Sequence, residues 1–450
     1  MRRTNNMMPK IMFLGLGVVP QSLIDILLKE KMFDPDDMIV IDKNEKMLDF
    51  FRFRGGKEEN IHRMIINHDN YQEIFHHLNR GDFLLDLANE LDDLVLTEEC
   101  IKRGIHFITT SDGWFPVNNQ ANLDYEEHLQ ETLKLARKNP KTPTTVLNFG
   151  INSGVINVLT KKALCDIVEE DDTPFVAENR EHLKKLIKED KFAQLARELR
   201  VTYLIESDYD TTETNITEPA PNTVYSTWNA VDFYNEMDDR ASMIVGTEVK
   251  LSEALKRMGA DVDQIYGFDP DSRLLQLNFS GKFSKVKAVI NDQIIEGCAD
   301  DHEELHSMRE YFSVWDEDGE LEYAPSAMFV YLPCEIAVKT VRTENVDHYH
   351  VIALDEIVSG GEAIGMLVEG KNFKSRYVGT RAYVGDGCIG TPVAFLVAVS
   401  IFAALKYIFK HPNEGILYPE QLDTEEVISY ISPYLPVISG ECRLLEPDKK

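Results

Sequence analysis

Between residues 8 and 150 the sequence alternates short apolar runs with longer segments of helical period. "KIMFL" (10–14) ends in glycine, and "QSLIDILLK" (21–29) follows, with Leu23, Ile24, Leu27 and Leu28 at the spacing of one helix face. "MIVI" (38–41) closes on Asp42, and "RMIIN", "FLLDLA" and "HFITT" are separated by helix-like stretches such as "TEECIKRG". Short runs apolar on both faces, each followed by an amphipathic helix, fit a parallel sheet covered by helices on either side. The expected fold class is therefore α/β, with "TTVLNFG" (144–150) as the last strand of a doubly wound sheet.

The rest of the chain has a different texture. At 450 residues it is long for one core, so two domains are expected. Residues 168–201 read as a charged, exposed helical pair. From 201 to about 384 short β-like runs recur, among them "VTYLIE", "LLQLNF", "KVKAVI", "AMFVYL" and "HVIALDEI". These suggest a second α+β domain over 151–384, with 385–450 packing back on the first domain, 1–150. The most apolar stretch, "VAFLVAVSIFAAL" (393–405), is too short to span a bilayer and reads as a buried core helix.

Composition narrows the partners. With 47 basic against 77 acidic residues the net charge is −30, a field that repels nucleic acid and anionic membranes and favours cationic ligands. The cysteines (Cys100, Cys165, Cys298, Cys334, Cys388, Cys442) are scattered without a CxxC or CxxH pair. Neither a metal site nor a disulfide framework is indicated. "MRRTNNMMPK" lacks the apolar region of a signal peptide, so a cytoplasmic, soluble protein is expected.

"GLGVVP" (15–20) sits between the first strand and its helix, where a G-x-G-x-x-G turn would sit. Gly15 permits the tight turn. Gly17, with Val18 and Val19 opening the helix, lets backbone amides approach a pyrophosphate. Pro20 replaces the third glycine and is tolerated in a first helical turn. Asp42, at the end of the second strand, is placed for ribose hydroxyls and would repel a 2′-phosphate, so NAD is favoured over NADP. The sheet is thus read as a Rossmann-type dinucleotide-binding domain.

One segment of the second domain, "STWNAVDFYNEMDD" (226–239), combines a rare tryptophan, Trp228, with Glu236. An indole face is the best side chain for an ammonium group. The alternative is ordinary packing above a solvated acidic edge, and Asp238 and Asp239 are read in that way. In order along the chain, "GLGVVP", "GINSG", "STWNAVDFYNE", "DDHEELHSMREYFSV", "YLPCEIAV" and "LDEIVSGGEAIGMLVEG" resemble the bacterial-type homospermidine synthases, within the saccharopine-dehydrogenase-like superfamily. The resemblance runs from about residue 10 to 445 in short matches.

That resemblance implies an NAD-dependent enzyme that oxidatively deaminates putrescine. The product condenses with a second diamine, and the retained NADH reduces the imine to homospermidine with loss of ammonia. Spermidine is a further candidate substrate, and a homodimer is implied. Trp228 and Glu236 match the family's pocket residues. In "ESDYDTTE", Asp208 matches a family glutamate, with Glu206 as the other possible alignment. His302 and Glu304 match a His-x-Glu pair suited to proton transfer. Asp355 is preferred to Glu356 for the pocket. Asn152 matches a turn asparagine facing amine or nicotinamide, although Ser153 replaces the family's proline. Asp112 stands for a glutamate two residues before Trp114, with Gly113 in place of a proline. Asp86 and Thr110 complete the cofactor side. Two alternatives stay open: a saccharopine or carboxynorspermidine dehydrogenase, which would need Arg or Lys for an α-carboxylate, and a catalytically decayed polyamine- or nucleotide-binding relative.

Overall fold

The computed structural model of the chain describes residues 8–88, 91–113 and 124–444, so Trp114 lies outside the described residues. It divides into two compact units, Met1–Val155 with Ala394–Leu422, and Ile156–Val393 with Asp423–Lys450.

The first unit is built on a parallel sheet. Strands β1 (Ile11–Leu14), β2 (Met38–Asp42), β3 (Ile61–Arg63), β4 (Phe83–Asp86), β5 (His106–Thr109) and β6 (Thr145–Val146) lie in the order β6-β5-β4-β1-β2-β3. Every neighbouring pair is parallel. This is the doubly wound order, with the reversal of direction beside β1. β1 is buried along its whole length, which is why its sequence does not alternate. "TTVLNFG" contributes only two residues of strand, because Asn148 turns to a φ of 52° and breaks the extended run. A further strand, Ile416–Leu417, extends the sheet in parallel beyond β6. Helix α1 (Val18–Lys29) follows β1, α2 (Asp93–Arg103) follows β4, and α3 (Tyr125–Lys138) precedes β6. The apolar helix Pro392–Lys410 is long enough to cross a membrane, but 83% of its apolar window is buried within the protein, as a core helix would be.

The second unit holds a mixed sheet. Its centre is formed by β7 (Val201–Asp210), β8 (Gln293–Asp300), β9 (Ser326–Leu332) and β10 (Gly361–Gly370). β9 runs parallel to β7, and β10 runs antiparallel on β7's other side. β8 pairs antiparallel with β9 and forms a hairpin with Val286–Ile290. Ile438–Glu441 pairs with Arg376–Tyr383 in this sheet, so the stretch 385–450, assigned from sequence to the first domain, is divided between the units. "HVIALDEI" gives only the strand His348–Val351, followed by a single helical turn at Leu354–Glu356. The charged stretch before β7 forms the helices Pro174–Lys188 and Phe192–Leu199.

The side-chain period of two decides what β7 does. Tyr203 and Ile205 point into an apolar core with Met243, Leu275, Val289, Val330 and Leu367. Glu206, Asp208 and Asp210 therefore share the opposite face, and all three are buried.

Candidate active site

Strand register carries the acids of β7 into a patch. Glu206 lies beside Phe329 of β9, which in turn pairs with Asp300 of β8. Asp208 lies beside Tyr331, and Asp210 pairs with Glu362 of β10. Phe329, Tyr331, Asp300 and Glu362 are buried too. The chain enters β10 through Gly360 (φ 83°) and Gly361 (φ 150°), and a Cβ on Gly361 would fall 2.2 Å from Ala382 O. Only glycine fits this approach, which delivers Glu362 to the acid face.

Two helices bring the remaining groups. Helix α4 (Ala230–Asp238) is capped by Asn229, whose Oδ1 accepts from Val231 N (3.0 Å) and Asp232 N (3.4 Å). Trp228 precedes the cap and packs edge-on against Phe233, centroids 6.4 Å apart, as a hydrophobic staple. The rings continue inward, Phe233 to Tyr331 (6.0 Å), Tyr331 to Phe329 (6.2 Å), and Phe329 to His302 (5.0 Å). Trp228 itself is half-buried, so part of its indole remains open. His302 stands at the N-cap of α5 (Glu303–Phe312); Glu303 and Glu304 occupy the first turn, where the helix dipole favours anions. His302 Nδ1 hydrogen-bonds Glu304 and lies 3.6 Å from Glu303.

Desolvation dominates the electrostatics, because a buried carboxylate costs several kcal/mol unless compensated. Burial, then Glu304, holds Glu206 well above the usual carboxylate range. Neither of its oxygens meets a donor, so its own proton is available to Glu304. Burial and Asp210 raise Asp208, and burial with Asp208 and Asp210 raises Glu362. Burial and Glu236 raise Asp300. Burial, aided by Glu303, Asp232 and Glu304 against the charge of His302, pushes Glu236 up to about 8. Asp210 is raised by burial although it accepts from Thr212 N (2.8 Å) and Thr227 Oγ1 (2.7 Å). Burial opposes the charge of His302, but Glu304 and Glu303 outweigh it and keep the imidazole protonated; for Glu304, His302 outweighs burial and holds the carboxyl below its ordinary value. No lysine or arginine is among the leading influences on these carboxyls. The patch is acid-rich, with one imidazolium.

The second unit thus gathers Glu206, Asp208, Glu236, His302 and Glu304, with Trp228 joined by the ring ladder. Both alignments of the "ESDYD" segment are accommodated, since alternate residues share a face. Asp355 is not brought in: it is exposed on the turn Leu354–Glu356, its carbonyl accepting from Asn215 Nδ2. Glu356 is paired with His350 at 2.7 Å. Asp210, which the Asp208 alignment sets on a family aspartate, joins the acid face, and Glu362 and Asp300 are acids of this face that lie within the matched segments but are not singled out from sequence. Alternation within "GGEAIGML" and "EGCAD" is the signal that could have found them.

The first unit holds the nucleotide-type turn. Gly15 has a φ of 84°, and a Cβ there would meet Leu87 O at 2.8 Å. Gly17 caps α1 with open space at its Cβ position; no side chain caps that end and no acid stands in the first turn. The free amides of Val18 and Val19 therefore suit an anion. Pro20, in the same turn, forfeits only an amide without an intrahelical partner. Asp42 accepts from Leu16 N (2.7 Å) and Asn44 N (2.6 Å) and lines a cavity of about 180 Å³ with Gly15, Gly17, Met64 and Ala88. Asp86 ends β4 and is pushed by burial up to about 7, while Thr110 follows β5. Asn152 lies in the turn bridged by Gly150 and Gly154.

Asp112 is engaged elsewhere in this unit. Its Oδ1 accepts from Asn148 Nδ2 (2.8 Å) and lies 3.2 Å from His128 Nδ1, while His128 Nε2 lies 2.9 Å from Asp93 Oδ1. Burial would neutralise His128, but Asp112 and Asp93 outweigh it and raise it to about 11. This sandwich and the His302–Glu303–Glu304 group each hold ligand-type atoms within 4.8 Å of one another. Their imidazoles already face carboxylates, which makes both ion pairs in form.

Comparison with known proteins agrees with this geometry. Residues 11–147 match the family described as saccharopine dehydrogenase NADP binding domain. The homospermidine synthase of Blastochloris viridis is 22% identical over 455 residues, 96% of this chain and 90% of that protein. That of Mesorhizobium japonicum is 21% identical over 462 residues, 96% and 89%. Over nearly its whole length the chain is similar to the homospermidine synthases. The crystal structure of the Legionella pneumophila homospermidine synthase in complex with NAD superposes with a TM-score of 0.80 at 20% identity, covering 99% of this chain and 95% of that one. The two-unit α/β fold is therefore shared.

Proposed function

We propose that the chain is an NAD-dependent homospermidine synthase, which oxidatively deaminates putrescine, condenses the product with a second diamine and reduces the imine to homospermidine, releasing ammonia. The observation that carries this reading is the acid face of the second unit, where His302 is the one cation among the described residues that leads the electrostatics of the buried carboxyls, with a half-buried tryptophan joined to it through a ladder of rings. Crowded carboxylates are tolerable if the intended occupant brings positive charge at both ends. The net charge of −30 draws such cations towards the protein.

The cofactor reading rests on the first unit. Gly15, Gly17 and the amides of Val18 and Val19 would hold the pyrophosphate, and Asp42 the ribose hydroxyls, with Asp86, Thr110 and Asn152 on the nicotinamide side. A carboxylate at position 42 repels a 2′-phosphate, which favours NAD although the matched family is described as NADP-binding. Bound NAD supplies a hydride acceptor and returns the hydride to the later imine.

The side chains do the rest. Trp228 offers its π-face to an ammonium or iminium, worth about 0.5–2 kcal/mol. Glu236 and Asp208 pair with ammonium groups, and the His302–Glu304–Glu206 chain moves protons at the reacting nitrogen. Asp112 supports this unit through His128. A saccharopine-type activity needs a cation for an α-carboxylate, and among the described residues no lysine or arginine is a leading influence on these acids. The commitment of Asp112 to His128 favours, as second reading, a binding relative without turnover.

Incubation with NAD+ and putrescine, followed by mass spectrometry, tests the proposal. Homospermidine and ammonia are expected. Product only with 2-oxoglutarate plus lysine would overturn it, and binding of both ligands without product across pH 7–9 would favour the second reading.

A further inference from the structure

Thr227, Trp228 and Asn229 form the corner between the strand Thr223–Ser226 and α4, and both the indole of Trp228 and the helix that carries Glu236 hang from it. The strand itself pairs in parallel with His348–Val351. Among the described residues, Thr227 is the one side chain of the corner that hydrogen-bonds the central sheet: its Oγ1 donates to Asp210 Oδ2 at 2.7 Å. Thr227 is 1% exposed and Asp210 2%. The backbone on either side of the indole is fixed as well. Trp228 N donates to Ser226 Oγ at 3.3 Å, and Asn229 caps α4. The indole therefore follows wherever Thr227 is held.

Asp210 is committed to this fastening. Its Oδ1 accepts from Thr212 N at 2.8 Å and its Oδ2 from Thr227, whereas both oxygens of Glu206 and Oδ1 of Asp208 meet no donor. The acids of β7 share a face but divide in duty. Glu206 and Asp208 keep oxygens open, while Asp210 ties the face to the neighbouring corner. Two donors on one carboxyl favour its anion, which in turn strengthens the threonine bond. Removing the donor would leave a buried oxygen bare, at the full cost of its desolvation.

We propose that Thr227 is a positioning residue for the diamine reaction, its hydrogen bond to Asp210 holding the Trp228 indole in register with the acid face. The inference rests on the diamine reading above and adds to it the means by which the cation-binding ring is kept in place. Thr227 touches neither substrate nor cofactor; it acts through its neighbour in the chain. When the hydroxyl is lost, the corner moves to let water reach Asp210 Oδ2, and the indole moves with it.

The test compares Thr227→Val, which keeps the shape and removes the donor, with Thr227→Ser, which keeps the donor, each alone and combined with Trp228→Phe. For homospermidine formation from putrescine, kcat should fall about ten- to a hundredfold in Thr227→Val, with NADH affinity constant, and Thr227→Ser should recover most of that loss. Because the effect passes through the indole, Thr227→Val should cost much less in the Trp228→Phe background. Acrylamide quenching of Trp228, taken from the emission lost in Trp228→Phe, reads the indole without substrate. It should rise in Thr227→Val and not in Thr227→Ser. An equal loss of kcat in both backgrounds, a serine variant as slow as the valine one, or quenching unchanged by Thr227→Val overturns the inference and leaves the diamine reading standing. Absence of homospermidine from the unaltered protein overturns the diamine reading, and the quenching comparison then decides by itself whether Thr227 places the indole.

Discussion

His128 should be the most costly single residue to remove from the first unit. Its imidazole and the carboxylates of Asp93 and Asp112 have side chains 0%, 1% and 4% exposed, at 2.9 and 3.2 Å. His128→Asn removes the cation and leaves two buried acids facing one another. Breaking a buried ion pair from one side costs about 3–5 kcal/mol. At about 2–4 °C per kcal/mol for a domain of this size, the melting temperature should fall by roughly 6–20 °C. The sign with pH follows from His128, whose value rises from 6.5 to about 11 in the fold. Its contribution is complete below pH 6.5 and is lost as pH climbs towards 11, by about 1.4 kcal/mol per unit in between. Denaturant unfolding followed by circular dichroism, at pH 7 and pH 9, measures this. The gap between the unaltered protein and the variant should narrow at pH 9, and adding Asp93→Asn should recover part of the loss. A cost under about 1 kcal/mol, or a gap that widens with pH, would refute the ion-pair account.

Other expectations follow from the same geometry. Trp228→Ala loses both the cation face and the staple on α4, so turnover should largely vanish while NAD affinity stays nearly constant; Trp228→Phe should retain the helix and recover part of the rate. Glu236, held up to about 8 by burial, is about one-tenth ionised at pH 7 and about nine-tenths at pH 9. If its carboxylate binds the amine, kcat/KM for putrescine rises about tenfold over that interval, and the rise is absent in Glu236→Gln. Asp42→Ser should cut the preference for NAD over NADP at least roughly tenfold, read by fluorescence titration of the reduced cofactors. Glu206 is already kept protonated, so Glu206→Gln should change stability by less than about 1 kcal/mol in denaturant, against several for Glu206→Ala.

The parts legible in the sequence are those that local patterns decide. The run–helix alternation of the first 150 residues specifies the parallel sheet, and "GLG" ahead of an amphipathic segment specifies the open end of α1. "ESDYD" announces its own face, because alternate residues of a strand must point the same way. Long-range pairing decides what could not be read. Glu362 lies far along the chain from Asp208, and only the register of β10 on β7 makes them neighbours. Asp355 fails for the complementary reason. A motif gives position along the chain, but the backbone there forms a turn, and the side chain leaves for solvent. The Asp93–His128–Asp112 sandwich joins α2, α3 and the end of β5, three elements whose meeting no local period encodes.

The alternation along β7 has a consequence for how the chain finds its fold. A slip of one residue against β9 and β10 would drive Glu206, Asp208 and Asp210 in among Val289, Val330 and Leu367, and turn Ile205 out of the core. Such a misalignment is forbidden by charge as well as by lost packing. The carboxyls of the acid face therefore also select the correct pairing of the central strands as the chain folds.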